Sequence, residues 1–433
     1  MQSNIVKKSL AITALAVAIT LTGWVRLAHN NVPAHLGPSG NAAYVPQAND
    51  SFSYYIAENR RRIREVLATY YYAGDEQPFG AGLPLEQVLD MRSPFELLPS
   101  ASCPQQIQRG FLLVHGLTDS PYLLRAVANS LQAEFPCALI RTLLSPGHGT
   151  VPGDLLGVRL SDWEATFAWG VQNVSSQVDE LTVLGYSNGS ALALNYLNRE
   201  VGNADSMIDR MILVSPGLRP ADQRAWLAPW LKFLSPWIYK RADLDAVKYE
   251  SFPTNAASEF YKLTQQATAD DAPMLNTPTL MIVSGDDTTT DAAVAADVYC
   301  NRIDGPEKAL LWYQSSSEQS QLPVNCEGIE LIELNADSAS DRVISLSHIA
   351  LTTPMNDPHY GIDGRYPVCL SHEAFPDRFE RCLGDNSGSV YAESTFLDAN
   401  GLYEGAIVRR TSFNPNFDSM MNKIACFIRD DCH

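Results

Sequence analysis

Positive charge is scarce in this sequence: 31 Lys and Arg stand against 49 Asp and Glu, a formal net charge of −18. A polyanion is repelled by such a molecule as a whole, so nucleic acid is excluded as an expected partner. The one dense basic run, Arg60, Arg61, Arg62 and Arg64, lies between Asn59 and Glu65 at spacings that suit the wet side of a helix. Also missing are any Cys-x-x-Cys pair and any compact Cys/His cluster. Zinc therefore has no evident ligand set, and neither a metal nor an organic cofactor is expected. With 18% charged and 45% hydrophobic residues, the composition excludes a disordered chain and permits a large core. The length of 433 residues does not separate one domain carrying insertions from two or three domains.

What is present begins with Ser9 to Val25, an uncharged stretch preceded by Lys7 and Lys8. As a helix it spans about 25 Å, and no small-x-small cleavage site follows it. The leading positive charges place the N-terminus in the cytoplasm. Residues 1–29 are therefore expected to be a retained membrane anchor or a cleaved signal. The rest of the chain is then exported, either held at the inner membrane on its periplasmic or extracytoplasmic side or secreted after cleavage. Eight cysteines, an even number, fit disulfides in an oxidising compartment. Closeness in sequence alone suggests the pairs 300 with 326, 369 with 382, and 426 with 432.

Residues 30–105 read as a linker followed by a helical extension, with Tyr54, Ile63, Val66, Leu67 and Tyr70 forming an apolar stripe over 53–72. Strand and helix patterns then alternate. Apolar strands are expected at 111–114, 137–140, 181–184, 211–214 and 279–283, and helices at 123–131 and 190–197. A capping box at Ser161-Asp-Trp-Glu164 opens a further helix. This alternation implies an α/β fold with a mostly parallel sheet covered by helices on both faces, and places polar chemistry at the carboxyl ends of the strands. The expected divisions are core at 106–220, an insertion at 221–271, core again at 272–355, and a Cys-containing extension at 356–433.

The polar residues do gather at those ends. Gly185-Tyr-Ser-Asn-Gly189 follows a strand and opens a helix, the setting in which a serine on a strained turn is exposed for nucleophilic attack. Outside that setting the pentapeptide is an ordinary strand-helix turn. Farther on, Val283-Ser-Gly-Asp-Asp287 ends a strand with two carboxylates, and Val343-Ile-Ser-Leu-Ser-His348 ends an apolar run with a histidine. Ser187, Asp287 and His348 thus supply nucleophile, acid and base in chain order. Asp286 and Asp291 stay open as the acid. His359, in a loop of Asn, Asp and Pro, stays open as the base.

These segments, with Leu113-Val-His-Gly-Leu-Thr-Asp-Ser-Pro121, Ser145-Pro-Gly-His-Gly-Thr150 and Asp162-Trp163, resemble the α/β-hydrolase superfamily. Within it they look like the serine aminopeptidase and monoacylglycerol lipase or lysophospholipase-like branch. The resemblance implies an α/β-hydrolase fold, an oxyanion hole from the N–H groups of Leu117 and Asn188, and a helical cap over the site at 221–271. In that cap Trp226, Pro229, Trp230, Phe233, Leu234, Pro236, Trp237 and Ile238 are expected to pack onto the core or to line an acyl site. His115 and His148 hold loops in this pattern. The chain departs from the family in lacking one residue before the acid and in separating Asp287 from His348 by 61 residues, which reads as a strapped insertion. The expected activity is hydrolysis of a carboxylic ester, such as an acylglycerol or lysophospholipid, through an acyl-enzyme. The alternatives are an amide or peptide hydrolase and a membrane-tethered binding protein on the same scaffold.

Overall fold

A computed structural model describes residues 33–73, 82–200, 206–305, 307–315, 326–334, 342–384, 389–394 and 407–431. Its centre is an eight-stranded sheet. In chain order the strands are β1 (Glu96–Leu97), β2 (Ile107–Val114), β3 (Leu139–Leu143), β4 (Val178–Tyr186) and β5 (Arg210–Val214). After β6 (Trp237–Tyr239) and β7 (Phe252–Pro253), which pair outside the sheet, come β8 (Thr279–Ser284), β9 (Lys308–Ser315) and β10 (Ile329–Leu334). The spatial order is β1-β3-β2-β4-β5-β8-β9-β10, parallel throughout except for the antiparallel edge strand β1. Helices cover both faces, giving the α/β-hydrolase fold. Runs such as Phe111-Leu-Leu-Val114 and Thr279-Leu-Met-Ile-Val283 are buried at every position because a parallel strand here is covered on both faces. From β2 the chain steps to β3 on one side and to β4 on the other, and that reversal opens a crevice at the strands' carboxyl ends.

Several local expectations change. The extension helix runs Phe52–Tyr70, and its buried face carries Phe52, Tyr55, Ile63, Val66 and Leu67, while Tyr54 is exposed. Tyr55 is drawn inside because its hydroxyl both donates to Leu144 O at 2.9 Å and accepts from Leu144 N at 2.8 Å. The arginines of this helix pair with Glu58, Glu65, Glu86 and Asp90. The helix expected from Ser161 starts at Leu160, and Arg159 occupies the cap. Asp162 accepts from Arg159 N at 3.0 Å, so only the acidic half of a capping box is in place. The stretch between Asp287 and His348 is no mere insertion: it supplies the helix Ala292–Arg302 and the strands β9 and β10 of the main sheet.

Disulfides join Cys103 to Cys137, Cys300 to Cys326 and Cys369 to Cys382, and Cys426 is also disulfide-bonded. Cys432 lies outside the described residues. The expectation of a membrane-anchored, membrane-associated protein is corrected. Among the described residues no helix is long and apolar enough to cross a membrane, and Ser9 to Val25, on which the anchor rested, lie outside the described residues. Neither a membrane partner nor an inner-membrane location is assigned to this chain. Of the eight apolar cap residues only Trp237 is buried, and Trp226, Trp230, Phe233, Leu234 and Ile238 face solvent. The turns there are too short to offer two packing faces: the helix Ala228–Leu231 is a single turn.

Candidate active site

Ser187 follows the last residue of β4 and stands at φ 53°, a left-handed backbone that costs energy in a non-glycine residue. The turn is held because Ser187 N donates to Val214 O at 2.9 Å, while Ser187 O accepts from Ser190 N, Ala191 N and Gly217 N. The flanking glycines are steric requirements. A Cβ on Gly185 would lie 2.5 Å from Ser190 N, and one on Gly189 would overlap Val114 O. The helix Asn188–Glu200 is thereby pressed against β2 and β4, with its N-terminal N–H groups at the serine.

Three sequence-predicted residues meet here. His348 Nε2 is 2.8 Å from Ser187 Oγ, and His348 Nδ1 is 2.5 Å from Asp287 Oδ2. All three side chains are buried. Asp287 Oδ1 accepts from Thr289 N at 2.7 Å and Thr290 N at 3.1 Å, and Oδ2 also accepts from Thr290 Oγ1 at 2.9 Å. Burial pushes this carboxyl upward. The charge and hydrogen bond of His348, with the two N–H groups, outweigh that and hold it below the ordinary carboxylate value.

The other two acids are employed elsewhere. Asp286 accepts from Ser315 N at 2.8 Å at the end of β9. Asp291 caps the helix Ala292–Arg302 by accepting from Ala293 N and pairs with Arg219. His359 is held in a buried pair with Asp245, at 2.8 Å, and Asp245 also accepts from Tyr360. His348 does not end a strand. Val343 makes one isolated bridge to Tyr391, and the histidine loop is fastened through Ser284 Oγ to Leu346 O and Ser215 Oγ to His348 O.

His115 and His148 shape the loop after β2. His115 Nε2 accepts from Ser145 N, and His148 Nε2 accepts from Thr118 N, each at 3.0 Å. Burial pushes both well below the usual imidazole value, to about 3 for His115, where the neighbouring His148 adds to it, and to about 4 for His148. They remain neutral acceptors at working pH. Across from them Tyr249 N donates to Thr118 O at 2.8 Å, so the middle of the 221–271 insertion braces the same loop. The N–H of Leu117 lies in this loop, and that of Asn188 opens the helix after Ser187. The amide side chain of Asn188 is buried without a hydrogen-bond partner.

Asp119 is a feature that sequence reasoning missed. A Cβ on Gly116 would overlap Asp119 Oδ2 and come within 3.1 Å of Ser187 Cβ, which places this carboxyl beside the nucleophile. Burial raises it to about 7, against the pull of Lys248 and His348. Because the folded value is raised, the native state holds a proton that the unfolded chain has released, and stability falls as pH rises from about 4 to about 7. Asp119→Asn is expected to remove that slope, gaining a few kcal/mol over the parent above pH 7 and little near pH 4. Urea midpoints of both proteins across this range measure it, and parallel curves would refute the burial argument.

Among the described residues no cluster of three or more His, Cys, Asp or Glu side chains is placed to hold a metal ion. Residues 111–318, just under half of the chain, match a model described as the alpha/beta hydrolase family. No curated protein sequence matches. Among solved structures the chain is similar to one described with LipS and LipT, two metagenome-derived lipolytic enzymes, at 21% identity over 51% of this chain and 87% of that one, TM-score 0.43. It is also similar to a monoglyceride lipase from Saccharomyces cerevisiae, at 15% identity over 51% and 82%, TM-score 0.40. A monoacylglycerol lipase from Paleococcus ferrophilus gives 14% identity over 51% and 88%, TM-score 0.41. At such identities these likenesses say nothing about substrate.

Proposed function

We propose that this chain, which has the fold of the α/β-hydrolase superfamily, is a serine hydrolase that cleaves carboxylic esters through an acyl-enzyme. The observation that carries the reading is the continuous path from Ser187 Oγ to His348 Nε2 at 2.8 Å and from His348 Nδ1 to Asp287 Oδ2 at 2.5 Å. Ser187 Oγ attacks the acyl carbon as its proton passes to His348 Nε2, and the carbonyl oxygen becomes an oxyanion facing the N–H groups of Leu117 and Asn188. His348 returns the proton to the leaving alcohol, and the acyl group stays on Ser187. Water then attacks the acyl-enzyme, its proton goes to His348, and the acid departs as Ser187 recovers its proton. Asp287, kept ionised, orients the imidazole and stabilises its charged form.

Esters come ahead of amides because an alcohol leaves with less help from the acid than an amine does. An apolar acyl group is favoured by the motifs that resemble the lysophospholipase-like branch and by the apolar residues that the cap presents to solvent, Trp230 and Phe233 among them. A fluorophosphonate probe is expected to label the folded protein at Ser187, and absence of labelling would sink the enzyme reading. Rates on p-nitrophenyl esters of increasing chain length, set beside aminoacyl amides, test the substrate class; faster cleavage of the amides would move the function to the amide series.

A further inference from the structure

The C-terminal extension reaches the acid from behind. β11 (Ser389–Ala392) and β12 (Ile407–Arg410) pair in parallel, and Glu393 and Arg410 stand at their ends. Arg410 donates to Glu393 through Nε at 2.8 Å and Nη2 at 3.0 Å, and the Glu393 carboxylate is fully buried. The same Nη2 donates to Thr289 Oγ1 at 2.9 Å. Thr289 is the residue whose N–H donates to Asp287 Oδ1, so one residue links the guanidinium to the carboxylate that orients His348. The far side of this turn is held by the cap's root, through Ala221 N to Thr289 O at 3.0 Å.

The extension also grips the histidine loop. Ser347 Oγ donates to Thr411 O at 2.5 Å, Thr411 Oγ1 to Ser345 O at 2.7 Å, and Glu393 N to Ser345 Oγ at 2.8 Å. Acid and base are thus fastened by one two-stranded element lying outside the residues 111–318 matched to the hydrolase family. A second buried carboxylate near Asp287 repels it and favours a charged imidazole unless neutralised, and Arg410 supplies that neutralisation.

We infer that Arg410 and Glu393 form a positioning pair for the Asp287–His348 couple: Arg410 fixes the Thr289 hydroxyl and the turn that holds Asp287, and the paired charges cancel beside it. The inference rests on the serine-hydrolase reading above. Neither residue touches substrate or the reacting atoms.

Removing one member of the pair leaves a charge of known sign, and this separates electrostatic positioning from simple support. The groups facing His348 are Asp287 from the β8 turn and Asp119 from the loop after β2, with Lys248 of the cap near Asp119 and the Tyr186 ring alongside. Glu393 and Arg410 act on Asp287 from the extension. In the full chain, kcat and KM are measured against pH for the parent, Arg410→Met, Arg410→Lys, Glu393→Gln, the double variant Arg410→Met/Glu393→Gln, and Thr289→Val.

Arg410→Met is expected to lower kcat about 10-fold to 100-fold with little change in KM, and to move the acid limb of kcat/KM to higher pH. Glu393→Gln moves that limb to lower pH. The double variant returns the limb to the parent position while kcat stays low, because Thr289 is still unheld. Arg410→Lys keeps the limb where the parent has it. Thr289→Val, at an exposed position, lowers kcat several-fold without moving the limb, and with Glu393→Gln it decides the matter should Arg410→Met fail to fold. Limbs that stay in place, or that move the same way in both single variants, overturn the pair. A parent protein that turns over esters under that outcome leaves the hydrolase reading intact, whereas a parent that neither labels with fluorophosphonate nor turns over sinks both.

Discussion

Ser187→Ala is expected to lower kcat/KM on the best ester by about 10⁴-fold to 10⁶-fold while the protein stays folded. The change deletes Oγ, the only atom of this residue that reaches His348 Nε2, and adds nothing to a turn whose backbone is held by Val214 O, Ser190 N and Gly217 N. Alanine meets the same left-handed backbone penalty as serine, so the elbow itself is not relieved. Loss of one buried hydrogen bond costs on the order of 1 kcal/mol, small beside the loss in rate. Fluorophosphonate labelling disappears with turnover. A variant within about tenfold of the parent would place the chemistry at another residue.

Asp287→Asn is the second large effect, with an expected fall of about 10⁴-fold in kcat. An amide at this position holds the wrong imidazole tautomer and cannot stabilise the imidazolium, although the N–H groups of Thr289 and Thr290 still find its oxygen. Because the folded Asp287 lies below its ordinary value, its contribution to stability is in place at neutral pH and fades as pH falls through the carboxylate range, about 4 and below. The variant is therefore less stable than the parent at pH 7 and converges on it in acid. Asp286→Asn alters a side chain that accepts from Ser315 N rather than from His348, and Asp291→Asn keeps a helix-capping side chain. His348→Ala should share the large loss and His359→Ala should not, since His359 faces Asp245. Kinetics and circular dichroism on the five variants measure this. A collapse confined to Asp286→Asn or Asp291→Asn reassigns the acid, and a dead His359→Ala beside an active His348→Ala reassigns the base.

The strand pattern was legible because a strand covered on both faces by helices has no wet side, and no charged residue interrupts Phe111 to Val114 or Thr279 to Val283. The elbow was legible for a related reason. Ser187 needs glycines on both sides wherever a helix packs this tightly onto β2 and β4, so the spacing is a steric necessity written into five residues. Strands β9 and β10 escaped notice because the half-exposed strand Ile329-Glu-Leu-Ile-Glu-Leu334 and the break around Cys326 resemble a decorated loop. The helix start at Leu160 was misplaced because Ser161 has the better capping side chain, yet Asp162 reaches the backbone of Arg159.

Sequence by itself determined where a strained, glycine-flanked serine follows a buried strand, and which acids and histidines lie beyond it in the order that a Ser-acid-His chemistry requires. Those are local or ordinal properties, set by sterics within a few residues and by chain order. That Asp287 rather than Asp286 or Asp291, and His348 rather than His359, comes together with Ser187 is a matter of tertiary structure alone. Each of these side chains finds a partner far away in sequence, and adjacent residues leaving a strand end point in different directions. Asp286 turns to β9, Asp287 to His348, and Asp291 to its own helix and Arg219. The buried carboxyl of Asp119 and the Arg410–Glu393 fork were invisible for the same reason. Burial and charge pairing belong to the packed molecule, and no local pattern encodes which distant segment will close over a residue.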